Sequence, residues 1–463
     1  MPVLPAEGQV FDIEVPVLII GAGASGLVAA LAAKDASVDP VVLERDLVPS
    51  GSTALSSGMI PASETRIQQE KGVVDSVDIM AADIMYKSRN QADSAIVKAM
   101  CRASGPAIDW LVEKHHLELT LVEGFLYPGH SKLRMHAPVS RSGADLMAGL
   151  VNAAEAAGID IMTGAHVTDV FADEQNAVKG VRIERPDQSS EVIGCRALIL
   201  ACNGFGGNAA MVRQLIPDMA DALYFGHAGN QGDAIRWGQG LGAATGHLGS
   251  YQGHGSVCHP HGILMSWALM MEGGVQLNAE GKRFSNEHDG YSEQARRVLQ
   301  QPGSIAWNIF DDRLRSLVSD FEDFRQAENH GAVLKADSLS ELAEIIEVDE
   351  AIVAETLADV ARFAAGDQQD PFGRDFSAHP TLLEKPFYAV KVTGALFHTQ
   401  GGLLVDTNAR VLDQRSRPLP NLFAGGGAVC GVSGSEDWGY LSGNGLLSAV
   451  SFGRIAGTSA ARL

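Results

Sequence analysis

The stretch Val15–Glu44, with the sequence VPVLIIGAGASGLVAALAAKDASVDPVVLE, decides the fold of this chain. An apolar run leads into Gly21, Gly23 and Gly26, and an Ala/Leu-rich segment then leads to a second apolar run that ends at Glu44. Short apolar runs are typical of buried strands, and the longer Ala/Leu-rich segment is typical of a helix. The order therefore predicts strand, tight turn, helix and strand, the first unit of an α/β, Rossmann-like domain.

Each glycine of this G-x-G-x-x-G spacing has a physical role. Gly21 lets the chain turn off the strand, Gly23 leaves room for a pyrophosphate, and Gly26 lets the helix pack closely on the sheet. The helix N-terminus offers unpaired backbone N–H groups to the phosphate. Glu44, about eighteen residues further on, stands where an acid accepts ribose hydroxyls. Glycines also punctuate ordinary turns, but the strand before them and the helix after them favour a dinucleotide site.

Length and composition narrow the class of protein. The 463 residues predict two or three domains, and 46% hydrophobic with 20% charged residues is a globular composition. A formal net charge of −21 argues against a nucleic-acid partner, and we interpret it as a charge that keeps the protein in solution. The five cysteines contain no C-x-x-C pair, which indicates reduced thiols. With no signal peptide and no apolar run that could span a membrane, we expect a cytoplasmic protein.

Changes in composition predict that one domain is inserted into another. We expect residues 1–247 to form the first part of the nucleotide-binding domain, 248–391 an inserted cap or catalytic domain, and 392–463 the second part. Strand-like apolar runs followed by glycine-rich turns occur in the first part and again in the last. Within the first part, Ala82–His116 has a helical pattern. Residues 49–62, rich in small and hydroxylated side chains, are interpreted as a loop or as a segment that wraps closely around a ring and a phosphate.

Several blocks along the chain resemble one flavoprotein family. GAGASG, GSTALSSGMIPA, GVQLNAEGKRFSNE, HTQGGLLVDTNARVL and SGNGLLSAVSFGRIAG are similar, in this order, to the characteristic blocks of soluble fumarate reductases and ketosteroid dehydrogenases. The resemblance implies FAD, with its ADP half on the glycine turn and its isoalloxazine at the boundary with the cap. The residues it implies for FAD are Gly21, Gly23, Ala24, Ser25, Gly26, Glu44, Arg45, Gly51, Ser52, Thr53, Ser57, Gly58, Val167, Ala201, Gly204, Gly427, Gly443, Asn444, Leu446 and Leu447.

The chain departs from the family at two kinds of position. Gly427 stands where many relatives carry an acid, so the contact of that acid with the cofactor is lost or replaced. In fumarate reductases two arginines deliver a proton and bind a dicarboxylate, and by block alignment they fall at Met270 and Tyr440. A dicarboxylate buried against Met and Tyr would be uncompensated. His254 and His398 match the family's histidines, either as substrate contacts or as structural residues.

The replacement pattern resembles the ketosteroid branch, and more closely the 3-ketosteroid Δ4-(5α)-dehydrogenases. The resemblance implies Tyr291, Tyr440 and Ser442 as functional residues. We assign Tyr440 to polarise a ketone carbonyl, and Tyr291 with Ser442 to take the α-proton, although the two tyrosine roles could be exchanged.

These residues predict an FAD-dependent dehydrogenase that desaturates a 3-ketosteroid or a smaller cyclic ketone and passes electrons to an external acceptor. The alternative is an enone or enoate reductase fed by a separate electron donor, and a flavin-binding protein without catalytic activity is a third possibility. We predict no metal, because His254, Cys258, His259 and His261 lack the paired motif of a zinc site.

Overall fold

The computed structural model describes residues 3–377 and 382–463. The chain divides into two compact units. The first comprises the residues up to Pro217, Gly226–Tyr251 and His398–Leu463, and the second comprises Asp218–Phe225 and Gln252–Phe397. The domain boundaries expected after residues 247 and 391 stay predictions.

The strands of the described ranges are numbered in chain order. They are β1 (Val3–Pro5), β2 (Ile13–Ile20), β3 (Pro40–Leu43), β4 (Ile60–Pro61), β5 (Thr120–Leu121), β6 (Met135–Ala137), β7 (Asp160–Met162), β8 (His166–Ala172), β9 (Val178–Glu184), β10 (Ser190–Leu200), β11 (Leu223–Tyr224), β12 (Thr245–Gly246), β13 (Tyr251–Cys258), β14 (Val275–Leu277), β15 (Ile305–Asp311), β16 (Leu334–Ala336), β17 (Phe387–Thr399), β18 (Gly402–Leu403), β19 (Arg410–Leu412) and β20 (Pro418–Ala424).

The α-helices are numbered in the same way. They are α1 (Ala24–Asp35), α2 (Gly51–Ala54), α3 (Arg66–Glu70), α4 (Val77–Lys87), α5 (Ser94–Glu113), α6 (Gly143–Ala156), α7 (Ala209–Leu215), α8 (Asp233–Gly240), α9 (Ala268–Met271), α10 (Tyr291–Leu299), α11 (Asp312–Val318), α12 (Glu322–Asn329), α13 (Leu339–Ile346), α14 (Glu350–Ala365) and α15 (Asn444–Ala460).

The first unit is built on a mainly parallel sheet with the predicted strand–turn–helix–strand at its centre. The strand order is β1-β8-β9-β10-β2-β3-β7, and β20 also pairs with β10. β2 runs parallel to β10 on one side and to β3 on the other. The carboxyl ends of β2, β3, β10 and β20 therefore meet at one edge, which is where ligands bind in open α/β sheets.

Helices α1 and α15 pack closely because small residues face each other. A Cβ atom at Gly457 would lie 2.0 Å from the carbonyl oxygen of Ala29, and one at Gly453 would lie 2.6 Å from that of Ser25. Only glycine allows this approach, since real Cβ atoms do not come so near to backbone. The last helix is thereby fixed against the helix of the glycine turn.

The helical pattern of Ala82–His116 covers two helices instead of one. The first, α4, ends at Lys87, and α5 begins at Ser94. Asp93 accepts hydrogen bonds from the N–H groups of Ala95 and Ile96, so it caps the second helix. The cap competes with a continuous helix, and the periodicity of apolar residues does not reveal it.

The second unit has its own sheet and core. The strand order is β11-β17-β15-β14, with β13 and β16 also paired with β17. Helices α13 and α14 pack over this core through apolar residues such as Leu342, Ile346 and Val353. Across the described ranges, every helix is too short or too polar to cross a membrane.

Candidate functional site

The glycine turn between β2 and α1 needs each of its three glycines for a different reason. Gly21 has φ of +104°, and a Cβ atom there would lie 2.6 Å from the carbonyl oxygen of Ala201. A Cβ atom at Gly26 would lie 1.8 Å from the carbonyl oxygen of Gly21. At Gly23 the nearest atom is Thr53 Oγ1 at 3.8 Å, so the protein itself would tolerate a side chain. The missing side chain at this position therefore leaves space for something outside the protein.

The N-terminus of α1 is prepared for an anion. Its N-cap residue, Gly23, has no side chain to cap it, and its first turn contains no acidic residue. Thr53 Oγ1 accepts the N–H of Ala24 at 3.3 Å. The Oγ atom of Ser25, in this first turn, is buried and has no hydrogen-bond partner among the described residues. Unsatisfied N–H groups and the helix dipole both favour negative charge here.

Glu44 is held by backbone groups on both sides of the turn. Its Oε2 atom accepts the N–H of Ala22 at 2.9 Å, and its Oε1 atom accepts the N–H of Asp46 at 2.9 Å. The carboxylate is thus fixed between the ends of β2 and β3. Each oxygen keeps a further lone pair, so the group can still accept hydroxyls.

An open cleft lies at this edge of the sheet. Its lining includes the following residues expected from the sequence: Gly21, Gly23, Ala24, Ser25, Glu44, Arg45, Gly51, Ser52, Thr53, Val167, Ala201 and Gly427. The expected residues Gly26, Ser57, Gly58, Gly204, Gly443, Asn444, Leu446 and Leu447 are not part of this lining.

The cleft also has lining residues that sequence reasoning missed, among them five in the segment 227–237. Ser52 Oγ accepts from the N–H of His227 at 3.1 Å and from Asn230 Nδ2 at 2.8 Å. His227 Nε2 lies 2.8 Å from a carboxylate oxygen of Asp46. These contacts link positions about 180 residues apart, and no local motif indicates them.

Asn203 explains the glycine at position 427. A Cβ atom at Gly427 would lie 2.0 Å from Asn203 Oδ1. That oxygen accepts the N–H of Gly204 at 2.8 Å, which fixes the amide in this place. The space beside Gly427 is therefore filled by Asn203, and an acidic side chain would displace it.

A second turn precedes α15 and carries Tyr440 and Ser442. Gly443, the N-cap residue of α15, has φ of +83°, and no side chain caps the helix. Asn444 Nδ2 donates to Ser433 Oγ at 3.1 Å, and Ser433 Oγ donates to Gln400 Oε1 at 2.6 Å. The Oδ1 atom of Asn444 is buried and has no partner among the described residues.

His398 lies beside this turn. Its ring meets that of Tyr440 edge to face, with 5.6 Å between centroids, and its Nδ1 atom is 3.0 Å from Gln400 Nε2. Burial lowers the pKa of His398 to about 4. The imidazole is therefore neutral at physiological pH, and the turn has no cationic side chain from this residue.

In the second unit, Tyr291 is the first residue of α10 and stacks on His254. Their ring centroids are 4.7 Å apart with an interplanar angle of 21°, and the ring of Phe397 also stacks on His254, with 5.3 Å between centroids. Burial lowers the pKa of His254 to about 3. This histidine, too, is a neutral aromatic ring.

Met270 is fully buried in the same unit, and its backbone is held by a cation. Its carbonyl oxygen accepts from Arg374 Nη2 at 3.1 Å. Arg374 and Arg283 are both ion-paired with Glu287, and Arg283 also pairs with Asp370. These two buried guanidinium groups are therefore compensated by two carboxylates of the protein.

Comparison with known proteins identifies the chemistry. A family model described as "FAD binding domain" matches residues 16–446. A probable fumarate reductase of Shewanella frigidimarina is 30% identical over 449 residues, which cover 96% of this chain and 74% of that protein. Urocanate and acrylate reductases also match.

Solved structures agree on the fold. The open conformation of a flavocytochrome c3 fumarate reductase has a TM-score of 0.82 at 30% identity, covering 99% of this chain and 79% of that chain. A 3-ketosteroid-Δ4-(5α)-dehydrogenase from Rhodococcus jostii has a TM-score of 0.79 at 24% identity and full coverage of both chains, which shows a shared fold alone. The predicted Rossmann-like fold with an additional capping domain is confirmed, and so is FAD as the cofactor.

The residues expected from the sequence fit this cofactor. The space in front of Gly23 and the uncapped N-terminus of α1 suit a pyrophosphate, and Ser25 Oγ lacks the partner that a phosphate oxygen would provide. Asn444 Oδ1, an acceptor without a partner, is suited to a donor such as a ring N–H. Both ends of the expected site thus have polar groups that the protein alone does not satisfy.

Proposed function

The chain belongs to the FAD binding domain family and is an FAD-dependent oxidoreductase acting on CH–CH groups, and we propose that it reduces a carbon–carbon double bond next to a neutral carbonyl group. Bound FAD, once reduced, would supply the hydride that adds to the β-carbon of this double bond. The names of the matched relatives favour the reductive direction over the oxidative direction that the sequence favoured. Electrons then come from a separate donor.

The observation that carries the proposed substrate class is the lack of cations at the two family positions. Met270 and Tyr440 are buried and uncharged, and burial keeps His254 and His398 neutral, with pKa values lowered to about 3 and about 4. A carboxylate moved from water to such residues would keep an uncompensated charge, which costs several kcal/mol. A ketone carries no such charge, so these side chains suit an enone better than fumarate.

We assign Tyr440 to hydrogen-bond the carbonyl oxygen of the substrate. Negative charge develops on that oxygen as hydride adds to the β-carbon, and a hydroxyl donor stabilises it without bringing a charge of its own. A hydroxyl group is proposed to give the proton to the α-carbon, with Tyr291 and Ser442 as the candidates. A hydroxyl group carries a proton that it can donate, which suits this role.

A second candidate is the reverse reaction, desaturation of a cyclic ketone. Tyr291, Tyr440 and Ser442 together resemble the pattern of ketosteroid Δ4-dehydrogenases, and this pattern favours it. By microscopic reversibility the same hydroxyls serve both directions. The direction then depends on the redox partner.

Flavin spectra test the proposal directly. The holoprotein is reduced with dithionite without oxygen and mixed with cyclic enones of increasing size, with fumarate and with urocanate. We expect the enones to restore the oxidised flavin spectrum and fumarate to fail. Reoxidation by fumarate at the rate of the best enone would refute the neutral-carbonyl assignment. Bleaching of the oxidised holoprotein by saturated cyclic ketones would instead support the second candidate.

A further inference from the structure

The turn that carries Ser442 is held from the side by a buried histidine. His130 Nε2 lies 2.9 Å from the carbonyl oxygen of Ser442. The residues before these two, Gly129 and Leu441, are also in close contact, since a Cβ atom at Gly129 would lie 2.5 Å from Leu441 Cδ1. The segment around His130 therefore packs directly on residues 441 and 442, although it is more than 300 positions away in sequence.

Behind His130 stands a buried arginine whose own charge is compensated. Arg134 Nε and Nη2 donate to the two carboxylate oxygens of Asp75 at 2.7 and 2.9 Å, and Nη1 donates to Asp83 at 2.5 Å. The side chain of Arg134 is fully buried. Burial opposes its charge, but the hydrogen bonds that Arg134 donates to the two aspartates outweigh this, and the pKa of Arg134 is raised.

Arg134 sets the tautomer of His130. Arg134 Nη1 lies 3.3 Å from His130 Nδ1. Because a guanidinium has donors and no acceptor, Nδ1 has to be the unprotonated nitrogen, and the proton is on Nε2, which faces Ser442. A second proton on the ring would meet the arginine charge. Burial lowers the pKa of His130 to about 4, in agreement with a single neutral tautomer.

We propose that His130, oriented by Arg134, is a positioning residue that fixes the Tyr440–Ser442 segment in its reactive geometry through the Ser442 carbonyl group. This inference rests on the proposed function, in which Tyr440 polarises the substrate carbonyl. Displacing a catalytic donor by about 1 Å costs up to about 100-fold in rate, so a donor that holds the backbone of this turn affects turnover without touching the substrate.

Two substitutions of His130 separate its contacts. His130→Gln keeps an amide N–H near the position of Nε2, whereas His130→Asn reaches only the position of Nδ1 and loses the bond to Ser442. For His130→Asn we expect kcat to fall roughly 10- to 100-fold with KM nearly unchanged. We expect His130→Gln to recover most of this loss.

His136 is the matched control. Its Nδ1 atom donates to the carbonyl of Arg134 at 2.8 Å, and its Nε2 atom is 2.8 Å from Thr65 Oγ1. It is as buried as His130, and burial lowers its pKa to about 4 as well. His136→Asn keeps the first bond and loses the second, so it should reduce stability and leave kcat unchanged.

Hydrogen exchange measures the position of the turn independently of turnover. In the holoprotein, peptides that cover residues 437–443 should exchange roughly fivefold faster in His130→Asn, the factor that one lost hydrogen bond gives. They should be unchanged in His130→Gln and His136→Asn. Equal exchange in all three variants, or an equal loss of kcat in His136→Asn, would overturn the proposal. If the wild-type protein reduces no enone, the proposed function is wrong, while the exchange data still decide whether His130 holds the turn.

Discussion

Two helix N-termini of the first unit look alike and are built differently. Helices α1 and α15 both begin after a glycine N-cap without a side-chain cap, and both have a buried side-chain oxygen without a partner in the described ranges, Ser25 Oγ and Asn444 Oδ1. The α1 turn is fixed mainly by backbone contacts of its glycines. The α15 turn is fixed by side chains, namely His130 from a distant segment and Ser433 from a nearby one.

The difference suggests separate roles, with the α1 turn suited to binding the cofactor and the α15 turn suited to presenting groups to the substrate. A turn made by close backbone contacts is rigid and suits a pyrophosphate that only has to be held. A turn held by side chains can present different groups for different substrates while the helix behind it stays the same. We therefore expect the two turns to respond differently to acid, to added methyl groups and to loss of a hydroxyl.

Acid should produce the largest effect, and two of the buried histidines on which it acts, His130 and His398, contact the α15 turn. Burial lowers the pKa values of His130 and His398 to about 4, whereas an unfolded histidine titrates near 6.5. Between pH 6.5 and 4 only the unfolded chain binds these protons, so the stability present above pH 6.5 is lost as pH falls. Each histidine lowers the free energy of unfolding by about 1.4 kcal/mol per pH unit in this range.

Urea unfolding of the holoprotein at pH 7.5, 6.5, 5.5 and 4.5 measures this loss. Constant stability from pH 6.5 to 5 would show that the buried histidines are not neutral in the folded protein.

Added methyl groups should distinguish two glycines of the α1 turn. For Gly26→Ala we expect a loss of roughly 3 kcal/mol or more in unfolding free energy, because the new Cβ atom meets the Gly21 carbonyl at 1.8 Å. Gly23→Ala should leave stability of the FAD-free protein nearly unchanged, since only Thr53 Oγ1 at 3.8 Å is near. Its FAD dissociation constant, measured by flavin fluorescence, should rise roughly tenfold or more, as for loss of a hydrogen bond to a charged group.

The opposite results would contradict the conclusion that close backbone contacts fix this turn. If Gly26→Ala folds normally, the packing of α1 on the sheet is looser than the distance indicates. If Gly23→Ala binds FAD normally, the pyrophosphate does not lie in front of this residue.

Loss of the Tyr440 hydroxyl should change turnover and little else. For Tyr440→Phe we expect kcat to fall roughly 100-fold or more, as for an oxyanion donor, with FAD affinity unchanged. Tyr388 offers a matched control, because it is also buried and its hydroxyl donates to Asp312 at 2.9 Å. Tyr388→Phe should lower stability by about 1 kcal/mol and leave kcat unchanged. Equal kcat for the two variants would show that the Tyr440 hydroxyl does not take part in the reaction.

The sequence predicts the α1 turn well and the α15 turn poorly, for the same physical reason. The α1 turn depends on local spacing, so Gly21, Gly23, Gly26 and Glu44 can be found within thirty residues. The α15 turn depends on His130, which approaches it only through tertiary packing and has no motif around it.

The same contrast explains what else was missed. Asn203 fills the space beside Gly427, and the segment around His227 contacts Ser52, but neither follows a local pattern. Helices α4 and α5 were predicted as one helix, because the periodicity of apolar residues continues across the cap at Asp93 that separates them. Local rules thus predict elements and turns, whereas contacts between distant side chains need the folded structure.

The smallest effect is expected at Glu44, whose carboxylate accepts N–H groups on both sides of the α1 turn. Glu44→Gln replaces one carboxylate oxygen by an amide nitrogen, so Ala22 or Asp46 loses its acceptor. We expect unfolding free energy to fall by roughly 1–2 kcal/mol and FAD affinity to fall less than in Gly23→Ala. Glu322→Gln, in an exposed pair with Arg325, is the control and should change neither quantity. If Glu44→Gln weakens FAD binding more than Gly23→Ala, the α1 turn holds its ligand by a side chain as well, and the contrast with the α15 turn fails.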